Sequence, residues 1–166
     1  MGTPDRSAWI VAALERYEGP LMRYAHRLLG DAETARDVVQ DCFLRLCGQR
    51  RAQLDGHVAE WLFTVCRRRA IDYLRRKGRM HPLEDREPAV EMEDRVARQE
   101  QEGTLRALIA RLPVRQQEVL RLKFQEGMSY RQISAITATS VGNVGFLLHH
   151  ALKTLRGHLA GGRSQS

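Results

Sequence analysis

Apolar side chains recur at steps of three and four residues along most of the chain, the spacing of one face of a helix. Between Ala8 and Leu29 these positions are Ile10, Ala13, Leu14, Tyr17, Leu21, Tyr24, Ala25 and Leu28. The pattern predicts a helix that Pro20 should kink or split. Comparable patterns predict helices over 31–47, 57–79 and 92–112, and a compact helical unit over 112–159. They favour an all-α fold in which helical stripes pack together.

Glycine and capping residues mark the ends of these helices. Gly30 should end the first helix, and Asp31 should cap the second, with Thr34 at its third position. Pro113 should open a later helix that Gly127 closes, with Ser129 capping the next. Residues 48–56 are predicted to be a loop, and 137–140 ("TATS") to be the turn before the last helix.

The helical wheel also predicts which side chains are buried. In the second helix they are Val38, Val39, Cys42, Phe43 and Leu46, and in the long helix Val58, Trp61, Leu62, Val65, Ile71 and Leu74. In the last helix they are Val141, Val144, Leu148, Ala151, Leu152 and Leu155. Trp61 is therefore interpreted as a core residue and not as a stacking platform.

Charge is distributed in three blocks. Residues 1–83 carry a net charge of +5, 84–102 carry −5 and 103–166 carry +7. Two basic blocks around an acidic one indicate two modules that face nucleic acid. We therefore predict two small helical domains, 1–80 and 103–160, joined by an acidic flexible linker over 81–102 and followed by a frayed tail over 161–166.

Several function classes find no support in the sequence. The three cysteines form no CxxC pair, which is typical of a reduced cytosolic protein, and His149 and His150 point about one hundred degrees apart on a helix. We expect no metal, no cofactor and no transmembrane helix. A Ser/His/Asp set and a phosphate-binding glycine loop are also missing, so an enzyme is not expected.

Two stretches carry a family resemblance. "EWLFTVCRRRAIDYLRR" (60–76) resembles the promoter-melting helix of bacterial RNA polymerase sigma factors of the extracytoplasmic-function (ECF) group, and "LPVRQQEVLRLKFQEGMSYRQISAITATSVGNV" (112–144) is similar to their C-terminal helix-turn-helix. The resemblance spans about residues 10–158. It implies a cytoplasmic protein that binds core RNA polymerase and directs promoter-specific transcription initiation. The implied partners are the clamp coiled coil of the largest subunit, the flap of the second subunit, promoter DNA and an anti-sigma factor.

The second helix gives two interpretations. By its residues alone it is an ordinary amphipathic helix. The resemblance implies that its outer face docks on the clamp coiled coil, although Arg36 stands where the family often has an acid. The implied polymerase-binding residues are Asp37, Gln40, Asp41, Leu44 and Arg45.

The long helix carries a broad basic stripe. It is either a solvated face, with an Asp72–Arg76 pair, or a surface that tracks phosphates. The resemblance favours DNA and implies that this helix and the preceding loop open the −10 element and hold a flipped base between Gln53, Leu54 and Asp55. Arg68 departs from the asparagine common in the family. The candidate −10 residues are Gln53, Asp55, Arg67, Arg68, Asp72, Arg75, Arg76, Lys77 and Arg79.

The last helix is implied to read the −35 element in the major groove. Four positions depart from the family pattern, namely Gly145, Phe146, Leu147 and His150. Gly145 weakens the helix by roughly 1 kcal/mol relative to alanine, which suggests a close approach of some partner backbone. The candidate −35 residues are Ser129, Tyr130, Arg131, Thr139, Ser140, Asn143, Phe146, His150 and Lys153.

Three interpretations of Phe146 remain open. It touches a thymine methyl beside an adenine bound by Asn143, or forms a protein-binding patch with Leu147, or is covered in the free protein by the acidic linker or the other domain. At the level of the whole chain, one alternative is a helix-turn-helix regulator that acts without polymerase. The other is a polymerase-binding adaptor that another protein recruits to DNA.

Overall fold

The computed structural model describes the backbone of residues 3–78 and 100–163 and the side chains of residues 6–78 and 103–161. Every regular element within these ranges is a helix, as predicted, and the chain divides into two compact units. The N-terminal unit contains α1 (Thr3–Leu29), α2 (Ala32–Cys47), α3 (Arg51–Leu54) and α4 (Val58–Arg76). The C-terminal unit contains α5 (Glu100–Ala110), α6 (Val114–Phe124), α7 (Tyr130–Thr137) and α8 (Val141–Arg163).

In the N-terminal unit, α1, α2 and α4 pack against one another around an apolar core. Leu21, Leu46 and Leu62 are fully buried, one from each helix. The rings of Tyr24 and Phe63 meet at 5.2 Å between centroids. Burial of one such side chain stabilises the fold by about 2 kcal/mol, so this shared core holds the three helices together.

The junction between α1 and α2 forms as predicted. Gly30 adopts a φ of 74°, and its N–H donates to the His26 carbonyl oxygen at 2.8 Å. Asp31 then accepts from the Thr34 N–H at 3.1 Å and from the Thr34 hydroxyl at 2.5 Å. The left-handed glycine reverses the chain, and the cap fixes where α2 begins. The predicted stripe of α2 is confirmed, since Val38, Val39, Cys42, Phe43 and Leu46 are all buried.

Three sequence predictions for this unit need correction. Pro20 does not split the first helix, because α1 continues through it to Leu29. The predicted loop over 48–56 contains a helical turn, α3, which Leu54 anchors with a side chain that is 7% exposed. In α4 the core side is rotated from the predicted stripe: Val58, Trp61, Val65 and Ile71 are only half-buried, whereas Phe63, Cys66, Arg67 and Ala70 are buried.

In the C-terminal unit, α6 and α8 pack closely and α5 contacts α8. Leu122, Ile133 and Val144 are fully buried, and they come from α6, α7 and α8. Gly127 has a φ of 68° and follows the end of α6, where the Met128 N–H donates to the Leu122 carbonyl oxygen at 2.9 Å. The predicted helix-turn-helix core is therefore formed.

Two caps fix the starts of α7 and α8. The Ser129 N–H donates to Gln132 Oε1 at 2.8 Å while the Gln132 N–H donates to Ser129 Oγ at 3.2 Å, a reciprocal capping box. Ser140 Oγ accepts from the Asn143 N–H at 3.0 Å. Between the two helices Ala138 adopts a φ of 53°, a conformation that makes the turn tight.

The predicted limits of this unit shift. The predicted linker lies largely outside the described residues, and its last three residues, 100–102, belong to α5. The predicted tail is also helical as far as Arg163. Val141 was predicted to be buried but is 44% exposed, because it lies in the first turn of α8, whereas Val144 one turn on is fully buried.

Candidate polymerase and nucleic-acid interfaces

The outer face of α2 carries an exposed leucine among polar side chains. Leu44 is 71% exposed, the largest exposure among the large apolar side chains that the structure describes as exposed. Asp37, Gln40 and Arg45 are exposed on the same face, and Asp41 is half-buried. We call these five residues the α2 face. The inward side chains of α2 form the core, and packing within the unit does not explain the exposed Leu44.

Asp41 joins the α2 face to α4. Its Oδ2 atom lies 3.0 Å from Arg45 Nε and 2.6 Å from Arg69 Nε. The side chains of Asp41 and Arg69 are each 33% exposed. Sequence reasoning missed Arg69, since the i,i+4 spacing reveals only the Arg45 partner and the Arg69 contact depends on how α2 packs on α4.

A shallow groove runs between α2 and α4 beside this ion pair. The charge of its lining is mixed, because three aspartates and two arginines are among the lining residues Thr34, Asp37, Val38, Asp41, Arg69, Asp72, Tyr73 and Arg76. The groove places the α2 face next to the basic residues of α4. Acidic and basic candidate residues therefore share one edge of the N-terminal unit.

Most of the candidate −10 residues on α4 are exposed. Arg68, Arg75, Arg76 and Lys77 are exposed, as is Asp72, and Lys77 Nζ lies 5.7 Å from the centre of the Tyr73 ring. Arg79 lies outside the described side chains. This end of α4 provides a cationic surface that suits phosphates.

Arg67 differs from the other described candidate −10 residues because it is buried. It is 7% exposed, because it follows Phe63 by four residues and precedes Ala70 by three, which puts all three on the buried side of α4. Its assignment as a DNA-contacting residue is therefore corrected: in this fold Arg67 belongs to the interior.

The three candidate pocket residues before α4 differ in exposure. Gln53 and Asp55 are exposed, whereas Leu54 between them is buried and anchors α3. Gly56 follows with a φ of 76°, and His57 Nδ1 lies 3.8 Å from Glu60 Oε2. Two of the three predicted pocket walls thus remain accessible, and the third holds the loop in place.

In the C-terminal unit the residues around α7 are exposed. Ser129, Tyr130 and Arg131 are all exposed, Tyr130 by 42%. Lys123 Nζ lies 5.5 Å from the centre of the Tyr130 ring. These groups can form hydrogen bonds or ion pairs with phosphates.

The start of α8 holds Asn143 through a network that the sequence did not predict. Asn143 Nδ2 donates to Thr139 Oγ1 at 2.7 Å. Thr139 is held in turn by Ser134 of α7, whose hydroxyl donates to the Thr139 carbonyl oxygen at 2.5 Å. The Thr139 N–H donates to the Ser134 carbonyl oxygen at 3.2 Å. The i,i+4 spacing of Thr139 and Asn143 is the only signal in the sequence for this network.

Farther along α8, the Phe146 ring packs against His150 of the same helix. Phe146 is 58% exposed, and its ring centroid lies 4.2 Å from that of the half-buried His150. Phe146 is thus exposed within the described part of its own unit, whereas the acidic linker that was predicted as one cover for it lies largely outside the described residues. Lys153 is exposed one turn beyond, so the outward residues of α8 form one continuous strip.

Gly145 has a neighbour within its own unit. A β-carbon at this position would lie 3.6 Å from Tyr130 Cε2, an ordinary van der Waals distance. The Tyr130 ring therefore occupies the side of α8 where a partner backbone was expected to approach. The space also admits an alanine, so close packing does not require glycine there.

Two pKa shifts arise from hydrogen bonds. The Thr34 hydroxyl and N–H hold the pKa of Asp31 below its ordinary value. In the core, a hydrogen bond with Cys42 and burial raise the pKa of the Cys66 thiol, so the Cys66 thiol stays neutral between α2 and α4.

Among the described residues, no group of three His, Cys, Asp or Glu side chains could hold a metal ion. None of the helices in that part of the chain is long and apolar enough to cross a membrane.

Comparison with known proteins finds two matches within the chain. Residues 13–80 match the family model Sigma-70 region 2, and residues 102–155 match Sigma-70, region 4. The chain is 30% identical over 159 residues to ECF RNA polymerase sigma factor SigL of Mycobacterium tuberculosis, covering 90% of this chain and 88% of SigL. It is 25% identical to ECF RNA polymerase sigma factor SigW of Bacillus subtilis, covering 95% of this chain and 91% of SigW.

Proposed function

Because the chain belongs to the ECF group of RNA polymerase sigma factors, which direct promoter-specific transcription initiation, we propose that its two units contact different parts of one initiation complex. The observation that carries this proposal is the match of two sigma regions within a single chain, one in each unit. We expect the chemistry of initiation to be performed by core polymerase and not by this chain. It would act in the bacterial cytoplasm, where polymerase meets the chromosome.

The α2 face is the proposed docking surface for the clamp coiled coil of the polymerase. An exposed leucine surrounded by polar groups suits a docking surface in which the apolar side chain is buried on contact and a polar rim surrounds it. Leu44 is the centre of this face, with Gln40 one turn and Asp37 two turns before it. Asp41 and Arg45 would contribute as a pair.

The exposed end of α4 is the proposed −10 surface. Arg68, Arg75, Arg76 and Lys77 would neutralise phosphates, and Gln53 and Asp55 would border the flipped base. Arg79 is kept in the proposed set, and Arg67 is removed from direct contact.

The α7 and α8 surfaces are proposed to engage the −35 element. Ser129, Tyr130, Arg131 and Lys153 would hold phosphates, and Phe146 would offer an apolar contact to a thymine methyl. Contact with the flap of the second polymerase subunit and control by an anti-sigma factor are also proposed, on the strength of family membership.

The test is transcription by the purified protein with core polymerase on genomic DNA, with mapping of the transcript starts. We expect promoter-specific starts that are absent with core alone. Leu44→Ser should weaken the complex with core by roughly tenfold or more, since burial of a leucine side chain contributes about 2 kcal/mol.

Val11→Ser is the matched control. Val11 is an apolar residue on α1 that is 50% exposed and lies outside the α2 face. It should leave polymerase binding unchanged. Starts that do not depend on the protein would overturn the proposed function, and equal binding by the Leu44 variant and wild type would overturn the docking surface alone.

A further inference from the structure

We propose that the Tyr73 ring is a stacking platform for one unpaired base of the melted −10 strand, with Lys77 beside it to neutralise a phosphate of that strand. This inference rests on the proposed function and adds an aromatic contact to the −10 surface. The −10 residues proposed above supply charge and polar groups, but none of them is aromatic. Proteins that hold a single strand combine a cationic groove with aromatic rings on which bases stack.

The position of the Tyr73 ring leaves part of it at the surface. Tyr73 is half-buried and lines the groove between α2 and α4, and its hydroxyl oxygen lies 3.5 Å from Thr34 Oγ1 of α2. Phe43 and Phe63 of the same two helices are buried. Trp61 is half-buried but lies in the first turn of α4, whereas Tyr73 lies in the last. Tyr73 is therefore the accessible ring at the basic end of α4.

The charge around Tyr73 favours nucleic acid. The five residues that follow it include three basic side chains and no acid, and Arg75, Arg76 and Lys77 are all exposed. Two of the three aspartates that line the groove, Asp37 and Asp41, belong to α2. The cationic side of the groove is thus the α4 side that carries the ring, and phosphates suit that side.

Lys77 links the ring to a phosphate. Its Nζ atom lies 5.7 Å from the centre of the Tyr73 ring, within the range of a cation–π contact. At an exposed site this contact is weaker than the stacking of a base on an aromatic ring. Because the lysine stem is flexible, the ammonium can move to a phosphate while a base takes the ring face that it leaves.

Stacking on Tyr73 requires an unpaired base. In a duplex the faces of each base are covered by the neighbouring base pairs, whereas a melted strand exposes them. Tyr73 should therefore favour melted over paired promoter DNA, while the basic residues of α4 contact phosphates of both forms. Every base has a π-face, so this contact should tolerate any base at the stacked position.

Tyr17 of α1 provides a matched comparison. It is also half-buried, and the guanidinium carbon of Arg16 lies 5.4 Å from the centre of its ring. However, Glu15 and Glu18 lie close to it in the sequence, and it is not among the residues that line the groove. A cation beside a tyrosine does not define a nucleotide site by itself. The groove and the run of exposed basic residues distinguish Tyr73.

The experiment uses full-length protein bound to core polymerase and a promoter identified by transcript mapping. The promoter is prepared as a paired duplex, kept closed at low temperature, and with an unpaired −10 region. Tyr73→Leu should weaken binding of the unpaired form about tenfold, the size of one lost stacking contact, and leave binding of the duplex unchanged. Tyr73→Phe keeps the ring and should restore tight binding of the unpaired form. Tyr17→Leu should match wild type on both.

A second measurement needs no variant. Iodinated deoxyuridine is placed at successive positions of the unpaired −10 strand, and the complex of wild-type protein, core polymerase and DNA is irradiated. A base stacked on the ring should give a photoadduct on Tyr73 at one position, identified by mass spectrometry of the peptides. This measurement decides the question even where the leucine variant fails to fold, which thermal melting of the free variant reveals.

The outcomes separate this inference from the proposed function. Equal binding of the unpaired promoter by Tyr73→Leu and wild type overturns the platform and leaves the sigma function standing. An equal loss on paired and unpaired DNA also overturns it, because such a loss marks a structural role for the ring. A photoadduct on Trp61 in place of Tyr73, or none on either, overturns it as well. Absence of any protein-dependent start on genomic DNA overturns the proposed function itself.

Discussion

Asp31 is a residue whose local role follows from sequence spacing alone. An aspartate that precedes an apolar-periodic segment, with a threonine three residues later, predicts an N-cap, and the bonds to the Thr34 N–H and hydroxyl are formed. The same bonds lower the pKa of the Asp31 carboxyl below its ordinary value of 3.8. Capping and ionisation are therefore linked at this position.

That link predicts a pH dependence of stability. The folded-state pKa is lowered, so the contribution of Asp31 is complete above the unfolded value of 3.8 and is lost as the pH falls through the lower folded value. Asp31→Asn keeps a capping oxygen but does not ionise. Melting temperatures measured between neutral and acidic pH should fall less for this variant than for wild type. Equal acid sensitivity in both proteins would contradict the linkage.

Residues whose role depends on another helix were not predictable in this way. Arg67 was assigned to DNA because its neighbours are arginines, but packing rotates it into the core with Phe63 and Ala70. Arg69 was overlooked because its partner, Asp41, lies on α2. Helical periodicity describes one helix at a time, and the rotation of α4 is settled only by the shape of the core that it shares with α1 and α2.

At the scale of elements, most helix positions followed from caps and periodicity. The starts of α2, α7 and α8 lie at Asp31, Ser129 and Ser140, each with its side chain bonded to the first turn. The helix limits differed from the prediction where burial of apolar side chains outweighed a helix-breaking residue. Pro20 lacks an N–H, yet α1 continues through it because Leu21, Tyr24 and Ala25 on the next turn are buried in the core.

The contact between α2 and α4 can be measured in the free protein. The Asp41–Arg69 pair is one-third exposed on each side, so its coupling energy should be about 0.5 kcal/mol. A double-mutant cycle with Asp41→Asn and Arg69→Gln, followed by urea unfolding, measures it. High salt should reduce the coupling.

A second cycle provides the comparison. Asp41→Asn with Arg36→Gln combines the same aspartate with an exposed arginine of α2. It should show no coupling beyond the error of about 0.3 kcal/mol expected for independent sites. A zero value for Arg69 as well would mean that the ion pair does not hold the two helices in solution.

At the scale of the whole molecule, the two basic blocks predict that phosphate contacts made by the two units add in the salt dependence of DNA binding. Arg68 of α4 and Arg131 of α7 are both exposed and lie in different units. If both contact phosphates, each change to glutamine should reduce the slope of log affinity against log salt by about one, and the double change by about two. Titration of the protein–core complex with promoter DNA at several salt concentrations measures the slopes.

Arg16→Gln is the control for this series. Arg16 is exposed on α1, and its guanidinium carbon lies 5.4 Å from the centre of the Tyr17 ring, outside both proposed DNA surfaces. Its slope should match wild type. A similar reduction for Arg16 and Arg68 would show that net charge alone, and not placement, controls binding.

The two sides of α8 differ in how much they contribute to the stability of the fold. Val144, Leu148, Ala151 and Leu155 are buried and maintain the fold, whereas Asn143, Phe146 and Lys153 contribute little to that core. Changes on the outward side therefore cost little stability. If this side reads the −35 element as proposed, promoter preference can be altered by a few surface substitutions while the scaffold stays the same.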